Sequence, residues 1–176
     1  GNSAPADMFT TSAPSVTKAT TYYAVYADKS SSGSGTVNTT VSMNSFNAIT
    51  GNVEDDSNVS YIAARGSAGT APAIYSNVIR MYQNGGTLTI SANNSKKLTS
   101  ITIGSSMATS VSYSVDGGSA SANQSISANG TYTLDGIEAS TVVFTCKGTT
   151  SSSRLYLNKL SVTYSGTGST TTYSNY

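Results

Sequence analysis

Histidine and tryptophan are both absent from this sequence of 176 residues. Histidine is the side chain most often used to move protons near neutral pH, so its absence removes most hydrolase and metalloenzyme templates. Serine is abundant, but no GxSxG nucleophile elbow accompanies it. We therefore expect a protein without catalytic activity.

Cysteine occurs once, at Cys146. A single cysteine excludes an internal disulfide and a cysteine-based zinc site. In a strand, Cys146 would share a face with Val142 and Phe144, so we expect it to be buried as a small hydrophobic side chain.

Charged residues are scarce, with nine basic and eight acidic residues and a net charge of +1. Nothing in their distribution attracts a polyanion, and we expect no nucleic-acid partner. No apolar run approaches the ~20 residues needed to cross a bilayer. The start, GNSAPADMF, has neither the basic nor the apolar region of a signal peptide. We expect no membrane insertion, and we expect any targeting sequence to lie outside this chain.

Serine and threonine make up about a third of all residues, and strand-forming residues occur along the whole length of the sequence. Short alternating runs are separated by glycine and asparagine, which accept the positive φ of tight turns. The turn signals are Asn84-Gly85-Gly86, Asp116-Gly117-Gly118, Asn129-Gly130 and Asp135-Gly136. The sets sharing one strand face are Leu88, Ile90 and Ala92; Ile101 and Ile103; Val111, Tyr113 and Val115; Tyr132 and Leu134; Val142, Phe144 and Cys146.

This pattern predicts an all-β fold, a jelly-roll-like β-sandwich of about nine to eleven short antiparallel strands with nearly no helix. One irregularity is expected late in the chain. Leu155 and Leu157 alternate, but Leu160, Val162 and Tyr164 have the opposite parity. A bulge near Asn158-Lys159 is needed to bury both sets.

Composition also predicts the domain organisation. Tyr22 to Ala27 alternate as a terminal strand, and KSSSGSG at residues 29–35 has the composition of a flexible linker. The tail after Tyr164, SGTGSTTTYSNY, returns to that composition. We expect a preceding β element at 1–29, a linker at 30–35, the sandwich at 36–164 and a linker-like tail at 165–176.

Two stretches resemble known modules. VTKATTYYAVYAD resembles the closing strand of an internalin B-type (Listeria-Bacteroides) repeat, which would make residues 1–29 its remnant. Residues 35–164, with TAPAIYSNVIRMYQNGGTLTISA, KKLTSITIG and RLYLNKLSVTYS, are similar to a β-sandwich module of modular surface proteins of gut bacteria of the Bacteroidetes type. Such modules resemble galactose-binding-like jelly rolls. The resemblance implies a secreted or cell-surface protein with covalently linked neighbouring domains, and a fold widely used for carbohydrate binding.

Sugar recognition needs an aromatic face for the pyranose ring and a few polar groups to orient it. The stretch YIAARGSAGTAPAIYSNVIRMY supplies both types of side chain. The candidate ligand-binding residues are Tyr61, Arg65, Tyr75, Arg80 and Tyr82. The alternative for each is packing, because Val78, Arg80 and Tyr82 share one strand face and Ile79 and Met81 the other.

A metal site is the second candidate. Glu54, Asp55 and Asp56 offer oxygen ligands for a structural calcium ion, although the spacing of an EF-hand loop is missing. The alternative is a solvated acidic loop between strands. Asp116 and Asp135 each precede a glycine and are explained as turn residues.

These observations favour a non-catalytic extracellular binding or adhesion module for carbohydrate. Its partners would be glycans or host and cell-surface proteins. Two alternatives stay open. One is a structural spacer in a multidomain surface protein, and the other is an auxiliary domain of a secreted glycan-degrading enzyme.

Overall fold

The structure, a computed structural model, describes residues 27–29, 33–170 and 173–175, with side-chain burial for 36–166. The chain divides into two compact units, residues 36–167 and residues 1–35 with 168–176. In the smaller unit, β1 (Ala27–Lys29) pairs antiparallel with β14 (Tyr173–Asn175). All but the last residue of the predicted strand Tyr22 to Ala27 lies outside the described residues, so the repeat remnant stays a prediction.

The larger unit is built almost entirely from strands. They are β2 (Gly33–Met43), β3 (Thr50–Val53), β4 (Asp56–Ala64), β5 (Ala73–Tyr75), β6 (Val78–Met81), β7 (Thr87–Ala92), β8 (Lys97–Ser105), β9 (Thr109–Val115), β10 (Gln124–Ile126), β11 (Gly130–Ala139), β12 (Thr141–Cys146) and β13 (Leu155–Thr170). A 3₁₀ turn at Ser151–Ser153 is the one helical element that the described residues contain. Over the same residues, no helix is long and apolar enough to span a membrane.

The strands form two six-stranded sheets. The first sheet has the order β10-β9-β12-β7-β4-β3, and the second has the order β11-β8-β13-β6-β5 with β2 also paired to β13. Every pairing with a described register is antiparallel. The predicted all-β sandwich is confirmed. The twelve strands exceed the predicted range because β5 and β10, of three residues each, are too short to show alternation.

Strand structure also continues into segments whose composition is typical of linkers. β2 begins at Gly33, and β13 runs on to Thr170. Backbone pairing requires no apolar side chain, so serine and glycine can be accommodated in a strand that already has a partner. The predicted boundaries at 30, 36 and 165 stay predictions.

The core lies between the two sheets and follows the predicted alternation. The predicted inward residues that are completely buried are Leu88, Ile90, Ile101, Ile103, Val111, Val142, Phe144 and Cys146. At one part of the core, Tyr113 of the first sheet stacks on Tyr132 of the second at 6.1 Å between ring centroids. Phe144 lies against both rings. The burial predicted for Cys146 is confirmed.

The predicted bulge in β13 is confirmed. The register against β8 shifts between Leu157, which is opposite Ser105, and Lys159, which is opposite Gly104. A Cβ on Gly104 would lie 2.8 Å from the Asn158 Oδ1 atom and 2.9 Å from the Lys159 Cβ atom. Gly104, which has no Cβ, therefore leaves room for the extra residue of the bulge. The buried residues on the two sides of the bulge are Leu155, Leu157, Leu160, Val162 and Tyr164.

One predicted turn is wrong. Asp135-Gly136 does not end a strand but lies within β11, where the register against β8 shifts after Asp135. Gly136 has a φ of 67°, and a glycine in this conformation also suits a bulge. Asp116 is a turn residue as predicted: its φ is 47°, and the Gly118 N–H donates to the Val115 carbonyl across the turn. Its Oδ1 atom also accepts hydrogen bonds from the backbone N–H groups of Ser140 and Thr141.

The bulge leads to a deletion test. Removing Asn158 should restore regular pairing between β13 and β8 while Leu157 and Leu160 both stay inside, so this variant should still unfold cooperatively on heating. Removing Ser161 from the same strand should invert the parity of Val162 and Tyr164 and abolish cooperative unfolding. Circular dichroism melting curves measure both. Equal loss of structure in the two variants would contradict this account of the bulge.

Candidate functional site

The β5–β6 hairpin lies at one edge of the second sheet, next to β13. Its turn residues Ser76 and Asn77 have φ values of 50° and 62°, as required for a tight two-residue hairpin turn. Ile79 and Met81 of β6 are completely buried. Because side chains alternate along a strand, Arg80 is directed to the outer face of the sheet.

Arg80 is surrounded by aromatic rings on that outer face. Its guanidinium carbon lies 5.3 Å from the centre of the Tyr75 ring and 5.2 Å from that of Tyr82. Its Cα position is opposite Tyr156 of β13. The hydrogen bond with the Tyr156 side chain raises the pKa of Arg80, more than desolvation lowers it. Arg80 is therefore a permanent positive charge in a fixed position.

A second arginine, Arg154, lies directly before β13 and reaches one of these rings. The Arg154 guanidinium carbon lies 4.5 Å from the centre of the Tyr82 ring, and its Nε atom donates to Gln83 Oε1 at 2.7 Å. Tyr75 and Tyr156 contact each other at 6.4 Å with an interplanar angle of 83°. We call this set the aromatic–arginine surface. Its members are Tyr75, Arg80, Tyr82, Arg154 and Tyr156.

The exposure of this surface is uneven. Tyr75 is 55% exposed, whereas Arg80, Tyr82, Arg154 and Tyr156 are half-buried. The half-buried members are held by one another, and the Tyr75 ring stays largely open to solvent. The open Tyr75 ring can stack on the apolar face of a ligand, while the neighbouring guanidinium groups donate hydrogen bonds to its polar substituents.

The structure brings together three of the five predicted ligand residues, Tyr75, Arg80 and Tyr82. Arg154 and Tyr156 were not predicted. Their alternation with Leu155 and Leu157 indicates that Tyr156 points outward, but the neighbour of β13 cannot be read from that pattern. Over 70 residues separate Arg154 from Gln83, so only the register of β13 against β6 reveals the contact.

Tyr61 corrects the predicted site. It lies on β4 of the first sheet, is 3% exposed and has the inward parity of Val59 and Ala63. Its ring meets Phe46 edge-on at 5.8 Å, its hydroxyl donates to the Ala48 carbonyl, and burial raises its pKa. Tyr61 is therefore a core residue and not part of the aromatic–arginine surface.

Arg65 follows β4 and is exposed. The contacts described for Tyr75, Arg80 and Tyr82 do not include it. The proximity of Arg65 to these residues in the sequence did not indicate a shared site, because the chain crosses from the first sheet to the second between β4 and β5.

A separate polar groove of about 270 Å³ lies beside edge strand β3. Tyr61 forms part of its wall, as do two of the predicted calcium ligands, Glu54 and Asp55. The other lining residues are Met43, Ser45, Asn47, Thr50, Gly51 and Asn52. Two carboxylates make this groove unfavourable for an anionic ligand.

The three predicted calcium ligands do not converge. Glu54 and Asp55 form the β3–β4 turn, with φ values of 53° and 59°. Glu54 Oε2 accepts from the Ser42 backbone N–H, while Asp56 accepts from Asn58 and from the Tyr164 hydroxyl. Within the described residues, no three acidic, cysteine or histidine side chains are grouped to hold a metal ion. Calcium binding stays a prediction that this geometry does not favour.

Asp56 links the β3–β4 hairpin to β13. The Tyr164 hydroxyl donates to Asp56 Oδ2 at 2.7 Å, and this hydrogen bond is the largest cause of a lowered Asp56 pKa. A carboxyl whose pKa is lowered by folding stabilises the fold above its ordinary value of 3.8. That contribution is lost as the pH falls through the folded value.

Tyr164→Phe should therefore lower the free energy of unfolding by about 1.5 kcal/mol at neutral pH, and by less as the pH approaches about 3. Urea unfolding across this pH range measures the difference. Tyr61→Phe is the matched control, because it removes a tyrosine hydroxyl bonded to a carbonyl, and its effect should not change with acid. A Tyr164→Phe effect that is equally independent of pH would contradict the role of Asp56.

Comparison with known proteins gives little further information. No protein-family model matches the chain, and no curated protein matches it. Among solved structures it is similar to the family 32 carbohydrate-binding module of C. perfringens NanJ in complex with galactose. The identity is 14%, the match covers 72% of this chain and 93% of that one, and the TM-score is 0.37. A likeness this low does not transfer a ligand or the role of any residue.

Proposed function

We propose that this chain is a non-catalytic extracellular binding module and that it binds carbohydrate on the aromatic–arginine surface. The observation that carries the proposal is the 55% exposure of Tyr75 beside the guanidinium group of Arg80, with Arg154 over the neighbouring Tyr82 ring. Elsewhere on this face of the second sheet, small hydroxyl side chains such as Thr102 and Thr133 bond to each other. The aromatic–arginine surface is therefore chemically distinct from its surroundings.

Carbohydrate fits this combination of groups. A pyranose has an apolar face of C–H groups, which stacks on an aromatic ring, and a rim of hydroxyls, which accept hydrogen bonds from guanidinium groups. The site is an open face and not an enclosed cleft. An open face suits one part of a longer glycan chain better than an isolated small molecule.

The surface is also organised before any ligand arrives. The Arg80 guanidinium lies against the rings of Tyr75 and Tyr82, and Arg154 donates a hydrogen bond to Gln83. Ordering a free arginine on binding costs conformational entropy, so a side chain that is already fixed loses less. This organisation favours binding over a purely structural role, since Tyr75 and Arg80 contribute little to the core from the outer face.

The proposal is tested by screening the protein on an array of neutral and acidic glycans and measuring the strongest binder by calorimetry. Tyr75→Ala should weaken binding about tenfold, the loss expected for one stacked ring. Ile62→Ala is the matched control, because Ile62 is 48% exposed on the other sheet. This variant should bind like the parent protein.

Two results would overturn the proposal. Absence of binding to every glycan would favour the structural spacer. Loss of binding in Asn52→Ala with full binding in Tyr75→Ala would assign the ligand to the polar groove beside β3 instead.

A further inference from the structure

The charges of the aromatic–arginine surface are not neutralised within the described part of the chain. Arg80 contacts the rings of Tyr75 and Tyr82, and its Cα position is opposite Tyr156. Arg154 contacts Tyr82 and Gln83. All of these partners are neutral. An arginine fixed in a protein is usually balanced by a carboxylate, so two that have only neutral contacts leave a site for an external anion.

The two charges are also close together. Both guanidinium carbons lie near the centre of the Tyr82 ring, at 5.2 and 4.5 Å, so they are no further apart than the sum of these distances. This upper limit is within about 10 Å, the Debye length at 0.1 M salt, so both charges attract an anion that approaches Tyr82. Holding two like charges this close costs free energy, which a bound anion would recover.

The Arg80 guanidinium also has one donor, Nε, that the described residues leave unpaired. This atom is buried and has no hydrogen-bond partner. A buried donor without an acceptor is destabilising, and native structures rarely keep one without a reason. Because Nε lies below the surface, an external anion would meet the outer nitrogens of this guanidinium and balance its charge without pairing Nε.

From these observations we propose that the carbohydrate bound here is acidic, with a carboxylate or sulfate group held by Arg80 and Arg154 while its ring stacks on Tyr75. This inference rests on the proposed function, because it names the class of glycan that the same surface takes. The chain carries a net charge of only +1, so the preference arises from these two residues and not from general attraction.

The test uses three oligosaccharide probes of equal length, a polygalacturonate for carboxylates, a sulfated glycosaminoglycan for sulfates, and an uncharged galactan. The intact chain should bind one acidic probe at least about tenfold more tightly than the galactan. That affinity should fall as sodium chloride is raised from about 0.05 to 0.3 M. Which acidic probe binds more tightly distinguishes carboxylate from sulfate.

Arg154→Gln should weaken binding of the acidic probe about tenfold but binding of the galactan less than about threefold, because glutamine keeps a donor for a hydroxyl and loses the charge. Arg154→Lys should restore part of the affinity, because it keeps the charge but loses the planar fork of donors. Lys96→Gln is the matched control, since it removes one positive charge at the β7–β8 turn. It should change binding less than twofold. Circular dichroism confirms that each variant is folded.

The outcomes separate the two proposals. Equal binding of all three probes with no effect of Arg154→Gln would overturn the acidic ligand and leave carbohydrate binding intact. Binding of no probe at all would overturn both. Equally tight binding of a polyglutamate peptide or of single-stranded DNA would also overturn the inference, because the surface would then attract anions without recognising a sugar.

Discussion

Alternate burial along each strand is the constraint on which the rest of this molecule depends. Ile79 and Met81 have to enter the core, so Arg80 has to leave it, and the same rule places Tyr156 outward between Leu155 and Leu157. Where the apolar residues of the sequence depart from this alternation, a bulge in the backbone keeps them buried. The bulge at Asn158 lets β13 bury residues of both parities, with Gly104 opposite the extra residue.

This constraint also explains how much the sequence could predict. A period of two is a local signal, so it predicted the inward residues, the sandwich and the bulge. It could not predict which strands become neighbours, because pairing joins distant segments. Arg154 was missed for that reason, and Tyr61 was misplaced because nearness in the chain to Tyr75 concealed a change of sheet. Glu54-Asp55 and Ser76-Asn77 form tight turns without glycine, so the usual turn signal was absent there.

The contacts that order the aromatic–arginine surface also leave its charges available to a ligand. The tyrosine rings stabilise Arg80 and Arg154 without neutralising them, because a ring attracts a cation but adds no negative charge. A carboxylate in the same position would have stabilised the arginines more and left no charge for a ligand. The arrangement therefore keeps two cations ordered and available on one face of a rigid sheet.

The most direct measurement is an NMR titration that follows the Nε–H signals of Arg80 and Arg154 and the backbone amide of Tyr75. On addition of an acidic oligosaccharide, these three signals should shift together and saturate at one ligand per chain. Shifts confined to Asn47 and Asn52 beside β3, with the arginine signals unchanged, would contradict the account.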